Sequence, residues 1–184
     1  RRTVCRAACR SSRNAGSGTI ANTFQYDVLG RKVQQSDPDT GSTVLEYNAL
    51  GELTAQVDAA GNRIEHAIDA RGRIWRTTVK DSTGLTETES TFTYDSSAGA
   101  DVIAPGRLVN EMITGTYAGW VGQPGTALDY RRDHYYDAMG RPLGSVMQVD
   151  GQVFGSGVAY DALGRPWQAM DVTGLGVKTE YGPR

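Results

Sequence analysis

The chain has 184 residues, 39% of them hydrophobic and 22% charged, with 23 Gly against 6 Pro and a formal charge of −2. Abundant Gly beside well-spread aromatic and β-branched residues specifies many turns in a folded chain and argues against disorder. Residues 1–20 carry five arginines and no acid, leaving 14 basic against 21 acidic residues in the body. That balance argues against a basic nucleic-acid groove, and no run approaches the roughly 20 apolar residues of a membrane span.

Taken in chain order, residues 1–20 form an Arg-rich leader expected to be disordered. It has no apolar core of a signal peptide. Its Cys5 and Cys9 are the only cysteines, too few ligands for a zinc site. Residues 21–184 are built from a repeat, which begins YDVLGRKV at Tyr26 and returns as YNALGELT at Tyr47, IDARGRIW at Ile68 and YDSSAGADVIAPGRLV at Tyr94. It returns again as YDAMGRPL at Tyr136 and YDALGRPW at Tyr160, and a seventh copy opens at Tyr181, three residues before the last. The anchors lie 21, 21, 26, 42, 24 and 21 residues apart. The 42-residue interval equals two periods, so a degenerate or inserted unit is expected near 98–130.

Each column of the repeat has a physical reading. The tyrosine ends a strand, and the residue two before it (Phe24, Leu45, His66, Phe92, His134, Val158) shares its sheet face. Asp27, Asp69, Asp95, Asp137 and Asp161, with Asn48 in the same column, open turns through side-chain bonds to backbone N–H groups. Gly30, Gly51, Gly72, Gly140 and Gly164 supply the positive φ of a hairpin loop. Arg31, Arg73, Arg107, Arg141 and Arg165 follow, with Glu52 as the exception, and an apolar residue starts the return strand. In the second copy Asn48 and Glu52 replace Asp and Arg together, which predicts an Asp–Arg contact within each turn or between stacked turns. A second turn, at Asp37–Gly41, Asp58–Gly61, Asp81–Gly84, Asp150–Gly151 and Asp171–Gly174, closes most repeats. The fold class is therefore all-β: tandem antiparallel hairpins, edge to edge, in a long curved or spiralling sheet.

Y-D-x-x-G-R at intervals near 21 residues resembles the Rhs/YD-repeat family, which includes bacterial Rhs polymorphic toxins, the C components of insecticidal toxin complexes and the animal teneurins. The resemblance covers roughly residues 20–184. It implies a β-sheet shell, which in bacterial members encapsulates a toxic C-terminal domain and in teneurins belongs to an adhesion ectodomain. The aspartic self-cleavage region and variable toxin of the toxin members have no counterpart in the sequence. Asp37-Pro38 lies 11 residues after Tyr26, as Asp58 does after Tyr47, and belongs to the turn column.

On this reading the chain is a structural wall segment and not an enzyme, with no cofactor and no catalytic residue. His66 and His134 fill a packing column, and no nucleophile stands out. About 14 strands at the usual spacing of roughly 4.8 Å are too few to enclose a protein domain alone, so neighbouring repeats or an oligomer are the expected partners. An encapsulated toxin domain is the expected cargo, and a secreted or cell-surface bacterial setting is implied. The alternatives are an adhesion or carbohydrate-binding module, with Trp75 and Trp167 as candidate glycan contacts, and a gene fragment without function.

Overall fold

The computed structural model describes residues 8–12, 21–96, 103–117, 126–171 and 173–181, and the whole of that structure is strand and turn. It divides into two halves, Arg1–Glu87 and Thr88–Arg184. The first half holds β1 (Ala8–Ser12), β2 (Ala21–Tyr26), β3 (Lys32–Asp37), β4 (Gly41–Tyr47), β5 (Leu53–Val57), β6 (Arg63–Ile68) and β7 (Ile74–Lys80). From β1 to β7, neighbours in sequence pair antiparallel. The boundary falls within β8 (Thr86–Ser96). The second half continues with β9 (Ile103–Tyr117), β10 (Thr126–Tyr136), β11 (Pro142–Val149), β12 (Gln152–Tyr160), β13 (Pro166–Asp171) and β14 (Gly176–Lys178), again paired antiparallel in sequence order. Consecutive pairing follows from connections that are mostly two to five residues long, which leave a strand no neighbour to reach but the previous one.

Two regions outside the regular spacing are described in part. Residues 8–12 of the leader form a strand on the open side of β2, with Ala8 opposite Gln25 and Ser12 opposite Ala21. An unpaired strand edge is an open row of donors and acceptors, and adjacent chain fills it whatever its composition. The interval from Tyr94 to Tyr136 holds two strands, β9 and β10, the same number as each 21-residue interval. Its described strands run to 15 and 11 residues, and among the described residues it contains no further hairpin.

The same turn closes both ends of many ribbons. Asp27 to Gly30 is a type I turn, with the Gly30 amide donating to the Asp27 carbonyl at 3.0 Å. Gly30 follows in the left-handed region at φ 80°, and the Asp27 amide donates to the Arg31 carbonyl at 2.9 Å. This is the three-residue hairpin loop that requires glycine at its last place. Asp58–Gly61, Asp81–Gly84 and Asp171–Gly174 repeat it at the opposite rim. After each anchor-side turn the return strand carries one extra residue. Gln25 faces Gln34 while Tyr26 faces Lys32, so Val33 is left over. Thr54, Trp75, Val109, Leu143 and Trp167 are left over in the same way. A bulge three residues past each turn glycine is thus built into the repeat.

Among the described residues only Ala55, Ala104 and Val109 are buried apolar side chains. Each half is a sheet one layer thick, and its side chains pack sideways along the faces. One face carries the anchors with residues such as Phe24, Leu45, Ile64 and Val79. The other, in the first half, is charged: Arg63 reaches Glu46 at 2.8 Å on β4 and Glu65 at 2.8 Å on its own strand, and Lys80 meets Glu65 at 2.7 Å. Ala55 stands between Glu46 and Glu65 in register and is 1% exposed beneath that crossing guanidinium.

Candidate functional site

The repeated feature that organises the molecule is the anchor-side turn together with the tyrosine of the following ribbon. Inside the turn the Asp side chain does two jobs. Its Oδ1 accepts the amides two and four residues on: for Asp27, those of Leu29 and Arg31, both at 2.9 Å. Its Oδ2 accepts the guanidinium: Arg31 Nε to Asp27 at 2.7 Å, Arg73 Nε to Asp69 at 2.8 Å, Arg141 Nε to Asp137 at 2.6 Å and Arg165 Nε to Asp161 at 2.7 Å. The Arg73 amide, then its guanidinium, hold the Asp69 carboxyl below the usual carboxylate range. Asp137 and Asp161 are lowered for the same reasons, with the Arg141 and Arg165 amides as the largest cause.

The second copy exchanges donor and acceptor and keeps the bond. Asn48 Nδ2 donates to Glu52 Oε2 at 2.6 Å, and Asn48 Oδ1 still accepts the Leu50 and Glu52 amides at 3.0 Å. Asp95, with the longer loop after it, sits at φ 72° and accepts the Gly106 amide at 2.6 Å.

Arg31, Arg107, Arg141 and Arg165 also reach out of their own turns. Arg31 stacks over the ring of Tyr47 at 5.0 Å, Arg107 over Tyr136 at 5.3 Å, Arg141 over Tyr160 at 4.3 Å and Arg165 over Tyr181 at 4.1 Å. The same tyrosines donate their hydroxyls to the carbonyl just past that arginine: Tyr47 to Lys32 at 2.8 Å, Tyr136 to Leu108 at 2.9 Å, Tyr160 to Pro142 at 2.8 Å, and Tyr181 to Pro166. Strand register explains the regularity. Gln34 faces Val44, Asn110 faces Asp133, Gly144 faces Gly157 and Gln168 faces Lys178. Counting three residues along from each pair brings Arg31, Arg107, Arg141 and Arg165 opposite Tyr47, Tyr136, Tyr160 and Tyr181. Ala55 facing Glu65 brings Glu52 opposite Ile68 by the same count.

The arginine overhangs the next turn as well, since Arg31 Nη1 donates to the Asn48 carbonyl at 3.1 Å. A Cβ built on Gly164 would lie 2.9 Å from Arg141 Nη1, and one on Gly140 2.9 Å from Arg107 Nε. The turn glycine therefore provides both a left-handed backbone and room for the preceding arginine. Each contact is modest: about 0.5–1 kcal/mol for an exposed cation–π pair and about 1 kcal/mol for a hydroxyl–carbonyl bond. Repeated along an array, such terms set the coupling between neighbours.

The Asp–Arg pairing stands within the turn, while the sequence reading missed the tyrosine across the ribbon and the carbonyl acceptor after each arginine. A signal for them was present: Ile68 loses the phenol in the ribbon that follows Glu52, so three positions change together. Trp75 and Trp167 both occupy the bulge. Trp75 is 41% exposed with Arg76 stacked on it at 4.9 Å, and Lys178 lies over Trp167 at 5.5 Å. His66 Nδ1 is 3.1 Å from Thr77 Oγ1, and His134 Nε2 is buried with no described partner. Asp37 caps its turn, accepting the Asp39 amide at 2.8 Å. Cys5 lies outside the described residues, and among those described no cluster of His, Cys, Asp and Glu could hold a metal.

Hairpin after hairpin joined by a turn-to-tyrosine clasp defines a tandem β-ribbon repeat protein. The family model described as RHS Repeat matches residues 26–63 of the chain, which run from the first anchor to the start of β6. No curated protein matches. Among solved structures, the chain is similar to one titled as the crystal structure of TcdB2-TccC3 without its hypervariable C-terminal region, at 14% identity and TM-score 0.38, over 88% of this chain and 10% of that one. It is also similar to one titled as the Photorhabdus luminescens Tc holotoxin pore with a TccC3-D651A mutation, at 11% identity and TM-score 0.32, over 90% of this chain and 12% of that one. The chain spans about a tenth of the length of those structures.

Proposed function

We propose that the chain is a wall segment of an RHS-type shell and that its anchor-bearing face is turned toward an enclosed polypeptide, a toxin domain or other cargo. One observation carries this reading: among the described residues each sheet is a single layer, and the face holding the tyrosines, Phe24, Leu45 and Val79 has no second layer over it. Apolar area on one side of a sheet is stabilised when something covers it, whereas the charged side is suited to water. The segment is structural and non-catalytic, works with neighbouring repeats of the same kind, and belongs to a secreted or cell-surface protein of a bacterium.

The test uses the natural polypeptide in which this segment occurs, carrying a photo-crosslinking residue at Leu45 on the anchor face or at Glu46 on the charged face. Crosslinks from position 45 to a non-repeat region, with none from 46, support containment. Crosslinks from 46 alone, or from neither, overturn it. The partly exposed ring of Trp75 favours one alternative, a glycan contact at Trp75, with Trp167 as a separate candidate. Competable binding on a glycan array that is lost in a Trp75→Ala, Trp167→Ala variant would establish that reading instead.

A further inference from the structure

We infer that the surface between consecutive ribbons is a recognition site with a two-letter code, in which the turn of one ribbon selects the anchor of the next. This rests on the structural-repeat reading. The partner it fits is a β-strand presenting a phenol: the guanidinium covers the ring face, and the carbonyl one residue further on takes the hydroxyl proton. Clasps of this form stand at Tyr47, Tyr136, Tyr160 and Tyr181.

The exception carries the inference. In the turn of Asn48 and Glu52 the cation is replaced by a carboxylate, which would repel the electron-rich face of an aromatic ring. The strand placed opposite that turn ends in Ile68, with neither π-face nor hydroxyl. The inverted turn is otherwise intact. It keeps the amide bonds to Asn48 Oδ1, the Asn48–Glu52 bond at 2.6 Å and Gly51 at φ 88°. Glu52 overhangs the following turn as the arginines do, with its Oε1 3.0 Å from where a Cβ on Gly72 would sit. The side chain at this place reaches the next ribbon whichever charge it bears, so the anchor has to match it. Arginine accepts tyrosine, and glutamate accepts an aliphatic residue. Mixed turns would then give each ribbon a preferred neighbour and penalise a slip of one repeat, which pattern alone leaves cheap in a near-identical array.

The experiment exchanges the letters in the whole chain and reads amide hydrogen exchange of β12 and of β6. Asp137→Asn with Arg141→Glu copies the inverted turn opposite Tyr160, and Tyr160→Ile copies its anchor. Each change alone is expected to speed exchange in β12 by about tenfold and to leave β6 unaltered. All three together are expected to return β12 to within about threefold of the parent protein. Acceleration in the combined variant equal to the product of the two separate effects overturns the code. Should the combined variant not fold, the reverse graft of Asn48→Asp, Glu52→Arg and Ile68→Tyr decides the matter in the first half. Protection of β6 above that of either partial graft supports the code, and protection below both refutes it. Tyr160→Phe isolates the hydroxyl: it keeps the ring under Arg141 and removes only the bond to the Pro142 carbonyl. None of these readouts involves a cargo, so containment and the code can fail separately.

Discussion

Alanine at two glycines that look alike in the sequence should have different effects. Gly164 (φ 77°) and Gly174 (φ 83°) end D-x-x-G turns on either side of β13. Alanine at either place must adopt the left-handed region, at about 1–2 kcal/mol. A Cβ on Gly174 would meet nothing within 4 Å, so Gly174→Ala should stop at that cost. A Cβ on Gly164 would lie 2.9 Å from Arg141 Nη1, and the guanidinium has to move off Tyr160, over which it stacks at 4.3 Å. Losing that stack adds about 0.5–1 kcal/mol, and loosening the tyrosine hydroxyl from the Pro142 carbonyl adds up to about 1 kcal/mol more. Gly164→Ala is therefore expected to exceed Gly174→Ala by about 0.5–2 kcal/mol, roughly a 2- to 30-fold difference in opening. Hydrogen exchange of residues 166–171 reads it directly, because β13 lies between the two turns. Arg141→Ala supplies the control: in that background the two alanines should converge. Equal effects in the parent chain, or a gap that persists without Arg141, would refute the account of a glycine that makes room for its neighbour's arginine.

Acid should loosen the turns together. Asp69, Asp137 and Asp161 titrate below their ordinary value of 3.8 in the folded chain, so their contribution is complete above that value and is lost as pH falls through the lower folded values. The urea midpoint should be flat from about pH 7 to 5 and fall steeply below about pH 4, and a decline beginning near pH 6 would contradict this assignment. Ala55→Leu should cost about 1–3 kcal/mol through overpacking, since Ala55 is 1% exposed under the Arg63 bridge; urea unfolding of the first half measures it. Arg63→Ala should cost far less, below about 1 kcal/mol and diminishing with salt, because Glu46 is 47% exposed. Leu50→Glu should move the midpoint by no more than about 0.5 kcal/mol, since that side chain is 84% exposed at a turn tip; a larger drop in the urea midpoint would show that the tip is covered.

The sequence by itself determined the ribbon order, the position of nearly every turn and the pairing of Asp with Arg. All three are local consequences: a D-x-x-G turn and a short loop leave a strand only its predecessor to pair with, and Asp27 and Arg31 are four residues apart. Tertiary structure decided what lies across the ladder. Tyr47 meets Arg31 and the Lys32 carbonyl only once the β3–β4 register, with Gln34 opposite Val44, has brought strands distant along the chain side by side. The strand formed by residues 8–12 and the stretching of β9 to 15 residues were illegible for the same reason. Both answer to an open edge or a neighbouring strand and not to local preference, as does the second task of Gly164, which exists only because Arg141 arrives from the preceding turn.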